Sequence, residues 1–342
     1  MKVAVIGAGS WGTAVAALAA KNVETTLWAR SEELSAAMQR DSRNDSYLPG
    51  IDLPEMTFTS DLEEACSGAD IVAIGVPSHG FRAVLASAAG WIDSSATVIS
   101  LVKGVEQGSL LRMTEVAHEV LTTGDQTHDH SNDISAIGVL TGPNLAREVA
   151  EGQPAASVVA IPDGGRAEQV QAAFMSATFR VYTNPDVVGC EIAGALKNVM
   201  AIAAGVAHGL GYGDNTIAAL ITRGLAELAR LGIALGGSPL TFSGLAGMGD
   251  LVATCISDKS RNRTVGVELG RGRSLEDVVN EMHMVAEGVK TTRAVLDLAA
   301  LHSLEMPIAE QVGAVLYDGR RPDEIVPALM MRGATSEMHG LG

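Results

Sequence analysis

Near the start, Gly7-Ala8-Gly9-Ser10-Trp11-Gly12 forms G-x-G-x-x-G, directly after the apolar run Val3–Ile6 and before a helix-like stretch, Thr13–Lys21. In a strand-turn-helix that receives a dinucleotide, each glycine has its own task. Gly7 makes the tight turn, Gly9 admits the pyrophosphate to the backbone, and Gly12 lets helix and strand pack closely. The helix N-terminus offers free N–H groups and partial positive charge to the phosphates. A Gly-rich turn in an unrelated α/β protein is the plainer reading, and the flanking strand and helix argue against it. The second apolar run ends at Trp28-Ala29-Arg30. An acidic residue there would accept bonds from the ribose hydroxyls, whereas Arg30 would pair with a 2′-phosphate. That favours NADPH as cofactor without forbidding NADH. A surface arginine closing the strand is the alternative.

Lys197 lies in an otherwise apolar, small-residue helical stretch, with Cys190, Ala193, Gly194, Met200 and Ala201 on its face at helical spacing. An apolar setting disfavours the charged ammonium and lowers its pKa, which suits a proton donor and acceptor near neutrality. A lysine snorkelling from a helix edge is the bland alternative. Further on, Gly244–Leu251 places Asp250 in a glycine-rich bend, and Ser257–Arg263 brings together Lys259, Ser260, Arg261, Asn262 and Arg263. Ser260 can cap the following helix, and that helix start with Arg261 and Asn262 makes an anion site. A charged surface loop would have the same composition.

The elements that must hold these residues fall into two textures. Up to about Asn184, short β-branched runs alternate with helical stretches: Val3–Ile6, Thr25–Trp28, Ile71–Gly75, Thr97–Leu101, Ile134–Leu140, Ala156–Ile161 and Phe179–Tyr182. Near-continuous apolar strands of this kind are buried parallel strands, so the fold class is α/β, a Rossmann-like doubly wound sheet. Beyond Asn184-Pro185, residues 187–209, 214–235, 274–283, 286–302, 305–317 and 322–331 show helical spacing and no convincing strand. The expected domains are therefore 1–184, binding NAD(P), and an all-α substrate domain, 185–342, whose residues 333–342 read as a loose tail. The 342 residues suffice for two domains of about 150 each.

Composition excludes several classes. With 24 Lys and Arg against 40 Asp and Glu, the formal charge is −16, which argues against nucleic acid or an anionic membrane as partner. A small phosphorylated ligand stays compatible, because a few placed cations reverse the sign locally. The 3 cysteines are too scattered for a disulfide framework or a zinc site, and a reduced cytoplasm is the simplest setting. The first twenty residues outline a signal peptide, but Gly7, Gly9, Ser10 and Gly12 break its apolar run. No integral membrane segment is expected, since Met200–Gly213 is stopped by Lys197 and Asp214. His128 and His130, in the polar excursion Thr122–Asp133, could bind metal, but a solvated loop fits better and no metal site is assigned. The Ala- and Gly-rich helices suit a homodimer or packing within one chain.

In this order along the chain, GAGSWGTA, YLPGIDLP (47–54), VPSHGFR (76–82), SLVKGVE (100–106), LTGPNLAREVA (140–150), EIAGALKNVMAIAAGV (191–206), GLAGMGDLVATC (244–255), SRN (260–262) and VAEGVKTT (285–292) stand in the sequence. The whole closely resembles NAD(P)-dependent glycerol-3-phosphate dehydrogenase of the bacterial type. The resemblance implies reversible hydride transfer between NAD(P)H and dihydroxyacetone phosphate, giving sn-glycerol 3-phosphate for phospholipid synthesis. It implies that Lys197 transfers the proton and that Lys103 touches both cofactor and substrate. Gly142, Asn144, Asp250, Ser260, Arg261 and Asn262 match substrate contacts. Ser10, Trp11, Arg30, Tyr47, Ala146, Arg261, Val285 and Glu287 match cofactor contacts, which would put the cofactor in the cleft between domains. Two positions depart from the pattern: Asn144 stands where many relatives carry Ser or Thr, and Ser31 where many carry a second basic residue. The second departure implies a weaker NADPH preference. Two other readings compete. One is a dehydrogenase of the same plan acting on a β-hydroxyacid or sugar nucleotide, with Cys255 or Cys190 as a thiol. The other is a non-catalytic NAD(P) sensor, against which the presence of Lys197, Asp250 and Arg261 speaks.

Overall fold

The computed structural model describes residues 1–123, 134–282, 286–334, 336 and 337. His128, His130 and Val285 lie outside the described residues. The chain divides into two compact units, Met1–Val102 with Met113–Val187, and Lys103–Arg112 with Val188–Gly342. The textural break at Asn184 falls at the end of the last strand. The second unit also takes in residues 103–112, whose sequence texture alone gives no reason to part from the strand before them.

In the first unit, β1 (Lys2–Ile6), β2 (Glu24–Trp28), β3 (Thr57–Thr59), β4 (Ile71–Ile74), β5 (Thr97–Ser100), β6 (Ile137–Thr141), β7 (Ala155–Ala160) and β8 (Phe179–Asn184) form one sheet. Its order is β3-β2-β1-β4-β5-β6-β7-β8. Every neighbouring pair is parallel except β6–β7. The order reverses at β1, where a doubly wound sheet opens a crevice at its strand ends. Val3, Val5, Ile71, Ala73, Ile99, Leu140 and Val159 fill this unit's core. Two local features differ from the strand pattern in the sequence. Residues 134–136 form a 3-10 turn before β6 begins at Ile137. β3 escapes notice in the sequence because it is three residues long with threonine at both ends, too short for a period to show.

Apart from residues 103–112 and the connecting loops, the described residues of the second unit are helical, around a core that includes Ile192, Leu196, Val199, Leu228, Leu251 and Val295. Two stretches, Val187–Gly209 and Pro239–Ile256, are long and apolar enough to cross a membrane by composition alone, and the first is 94% buried within the protein. Helix Val187–Gly209 meets helix Arg261–Gly270 through four glycines. A Cβ on Gly205 would lie 2.2 Å from the Arg263 carbonyl oxygen, and one on Gly266 would lie 2.1 Å from that of Ile202. Gly209 and Gly270 repeat this reciprocal contact one turn on. The backbones touch because no side chains separate them.

Candidate active site

The dinucleotide turn is shaped by steric necessity at two of its glycines. Gly7 has φ +119, and a Cβ on Gly12 would sit 1.9 Å from the Gly7 carbonyl oxygen. Gly9 differs: a Cβ there meets nothing within 4 Å. The protein therefore gives no reason for glycine at position 9, and a group approaching the backbone would. Gly9 also caps helix Ser10–Ala19, so no cap side chain claims the first amides of that helix. Beside it, the Trp11 indole Nε1 is buried with no hydrogen-bond partner among the described residues. An open cradle and an orphaned donor fit a bound dinucleotide phosphate.

Loop 43–52 braces this turn. Ser10 Oγ donates to the Tyr47 carbonyl at 2.6 Å. Asn44, fully buried, donates to the Ala8 carbonyl and to Thr13 Oγ1, each at 2.8 Å. Tyr47 itself is exposed. Arg30 stands exposed after β2, and Ser31 caps helix Glu32–Asp41. Ser31 Oγ also donates to Glu33 at 2.6 Å. Gly142 follows β6 with φ +137, and Asn144 Nδ2 donates to Ser157 Oγ at 2.9 Å while its Oδ1 is buried without a partner among the described residues. Ala146 opens helix Ala146–Ala150.

In the second unit, three charged side chains from distant parts of the sequence meet. Lys197 Nζ donates to Asp250 Oδ1 at 2.5 Å, and Lys103 Nζ donates to Asp250 Oδ2 at 2.6 Å. Lys197 also donates to Thr254 Oγ1 at 2.8 Å, and Thr254 returns a bond to the Asp250 carbonyl at 2.6 Å. Lys197 and Asp250 are buried, whereas Lys103 is half-buried. Burial pulls the Lys197 ammonium down to about 7 against the pull of Asp250, and the Lys103 charge works in the same downward direction. A residue that titrates near neutrality at a cluster of opposite charges is a candidate proton donor and acceptor.

A second chain of contacts holds this cluster. The Gly288 amide donates to Asn262 Oδ1, Asn262 Nδ2 to Asn198 Oδ1, and Asn198 Nδ2 to the Lys103 carbonyl, at 2.9, 2.9 and 3.1 Å. Asn262 is thus committed to neighbouring backbone and side chain. Ser260 is buried as the N-cap of helix Arg261–Gly270, accepting from the Arg263 amide at 3.3 Å. Arg263 reaches Asp258 at 2.5 Å. Arg261 opens that helix; burial lowers the pKa of its guanidinium, and the Glu287 carboxylate opposes that shift. Asn198, Thr254 and Asn44 were not singled out from the sequence. The signal for Thr254 was its place four residues after Asp250, one turn along the same helix face. Asn44 sits in a polar loop, where nothing in the sequence says which side chain turns inward.

Cys255, beside the cluster, does not fit the part of a nucleophile. Cys255 is buried and pushed up to about 12, and burial raises Cys66 to about 11. A thiol held in its protonated form is a poor nucleophile, which argues against a catalytic Cys255.

Comparisons with known proteins converge on one family. The family model for the NAD-dependent glycerol-3-phosphate dehydrogenase N-terminus matches residues 2–167, and that for its C-terminus matches residues 186–327. The chain is 49% identical over 340 residues to glycerol-3-phosphate dehydrogenase (NAD(P)+) 2 of Sphingopyxis alaskensis, covering 99% of each. It is 50% identical over 343 residues to glycerol-3-phosphate dehydrogenase (NAD(P)+) of Thermobifida fusca, again covering 99% of each. The crystal structure of glycerol-3-phosphate dehydrogenase from Coxiella burnetii superposes with a TM-score of 0.89 at 36% identity, over 97% of this chain and 99% of that one. With its dinucleotide turn, its paired lysines and these full-length likenesses, the chain belongs to the NAD-dependent glycerol-3-phosphate dehydrogenase family.

Proposed function

We propose that this chain reduces dihydroxyacetone phosphate reversibly to sn-glycerol 3-phosphate, with NADPH as the preferred reductant and NADH accepted. The single observation that carries this reading is the Lys103–Asp250–Lys197 cluster, with Lys197 poised near neutral pH. When bound, the nicotinamide cofactor supplies or receives the hydride. Charged Lys197 gives a proton to the carbonyl oxygen as the ketone becomes an alcohol, and neutral Lys197 takes it back in the reverse direction. Asp250 fixes both ammonium groups, and Thr254 fixes the direction of the Lys197 Nζ. Lys103 polarises the carbonyl, because two ammoniums around one carboxylate leave a net positive field for a developing oxyanion.

Gly7, Gly9, Ser10, Trp11, Gly12, Arg30, Tyr47, Lys103, Ala146, Arg261 and Glu287 take the cofactor in this reading. Gly142, Asn144, Lys103, Lys197, Asp250, Ser260, Arg261 and Asn262 take the substrate. Arg261 and the helix that Ser260 caps receive the phosphate, and Asn262 acts by setting the backbone there. Val285 matches a family cofactor contact by sequence alone. The setting that fits is the cytoplasm and the supply of glycerophospholipid synthesis. A homodimer is compatible with the fold, and light scattering of the purified protein decides it.

The test is loss of absorbance at the nicotinamide band when purified protein meets dihydroxyacetone phosphate with NADPH or with NADH. Turnover with NADPH at lower KM than with NADH is expected. No turnover here, with good turnover on a hydroxyacid, would overturn the reading.

A further inference from the structure

Residues 103–112 leave the first unit after β5 and return to it at Met113, yet they fold into the second. The segment closes on itself as a short hairpin, with the Glu106 amide donating to the Leu111 carbonyl at 2.9 Å and a β-bridge joining Val105 to Arg112. Both ends are held by one helix, the helix that carries Lys197. At the start, Asn198 Nδ2 donates to the Lys103 carbonyl at 3.1 Å. At the end, Arg112 pairs with Glu191 at 2.8 Å, and the Glu191 side chain is only 3% exposed. Glu191 and Asn198 are seven residues apart, so they share one helix face about 10 Å apart along the axis. Between the two ends, Val105 is buried in the helical core, and Gln107 Nε2 donates to the Lys290 carbonyl at 3.1 Å.

From this arrangement we infer that Arg112 and Glu191 are positioning residues for Lys103: their buried ion pair registers the hairpin on helix Val187–Gly209, so that both lysines reach the same carboxylate. A buried ion pair that loses one of its charges is a strong perturbation, and this pair sits at the end of the hairpin opposite Lys103. Neither residue need touch substrate for this effect. The inference rests on the proposed reduction of dihydroxyacetone phosphate, because its kinetic readout uses that reaction.

The experiment compares wild type with Glu191→Gln and Arg112→Lys. In Glu191→Gln, KM for dihydroxyacetone phosphate should rise roughly tenfold or more, as for loss of one charge-assisted contact at the substrate. The pH at which reduction declines should also move upward, because a loosened Lys103 no longer presses on Lys197 and water enters. Arg112→Lys keeps the charge and should show the same changes at several-fold smaller size. Should Glu191→Gln fail to fold, Arg112→Lys alone carries the test. Amide hydrogen exchange provides a readout independent of turnover: faster exchange confined to 103–112 is expected in the variants. A lower melting temperature with unchanged KM, pH limb and exchange over 103–112 overturns the inference. Inactive wild type with faster exchange at 103–112 in the variants would instead sink the functional reading and leave the hairpin's fastening standing.

Discussion

At the scale of single residues, Lys197 is decided by competition. Burial opposes its charge, Asp250 at 2.5 Å favours it, and Lys103 opposes it again, with the outcome at about 7. Reduction needs the ammonium form and oxidation the neutral amine. The rate of dihydroxyacetone phosphate reduction at saturating substrates should therefore fall as pH rises through about 7, while glycerol 3-phosphate oxidation rises through the same region. Stopped-turnover assays in both directions across that range check the sign, and parallel profiles would contradict the role. Lys197→Ala should retain NADPH binding, measured by fluorescence, yet lose turnover by about 10²-fold or more. Near-normal turnover would refute proton transfer by this residue. Lys197 and Asp250 stood out in the sequence because a charge among small apolar neighbours is anomalous. Thr254 and Asn198 did not, since a Thr or Asn in a helix gains meaning only from what it faces.

At the scale of elements, the site depends on helices brought close enough for short side chains to bridge them. Asn198 reaches Asn262 because Gly205 and Gly266 let their helices touch. Gly205→Ala would place a methyl 2.2 Å from the Arg263 carbonyl oxygen, where backbone must yield. A loss of stability of about 1–3 kcal/mol is expected, as for overpacking, together with reduced turnover because the Asn198–Asn262 bond stretches. Denaturant melts and turnover measure the two effects, and an unchanged midpoint would show that the crossing can relax. A second element relies on a buried carboxylate. Glu227 accepts from the Ile308 amide at 2.7 Å and the Ala309 amide at 3.2 Å, and burial raises its pKa from 4.5 to about 7. Between these values the folded chain holds a proton that the unfolded chain releases. This contribution to stability is greatest below about 4.5 and is lost as pH rises to about 7. Glu227→Ala should flatten that slope in melts across the window and cost about 1–3 kcal/mol for the two unpaired amides. The long helices and the parallel strands were legible from periodicity and β-branched runs. The short pieces between Pro239 and Ile256 were not, because their π turn at Leu245–Gly249 follows no simple repeat.

At the scale of the molecule, a formal charge of −16 makes the placement of each cation informative. Arg40, Arg43, Arg271, Arg273 and Arg321 are each paired with a carboxylate. Arg30 is exposed at the end of β2 and carries no ion pair among the described residues. In a chain with 40 carboxylates, a cation kept clear of them beside the dinucleotide turn is placed for an anion from outside. A 2′-phosphate supplies that anion and a 2′-hydroxyl does not. Two acidic residues that follow Arg30, Glu32 and Glu33, temper the preference. The Ser31 hydroxyl donates to Glu33 and holds its carboxyl below the usual range, so a negative charge stands three residues from Arg30 at any working pH. Preference for NADPH over NADH should therefore be moderate in wild type. Arg30→Ala should raise KM for NADPH by several-fold more than KM for NADH, with kcat little changed, because the lost contact lies far from the transferred hydride. Initial rates with each cofactor at saturating dihydroxyacetone phosphate measure the ratio. Equal increases for both cofactors would remove the 2′-phosphate as the partner of Arg30 and leave it a surface residue at the end of a strand.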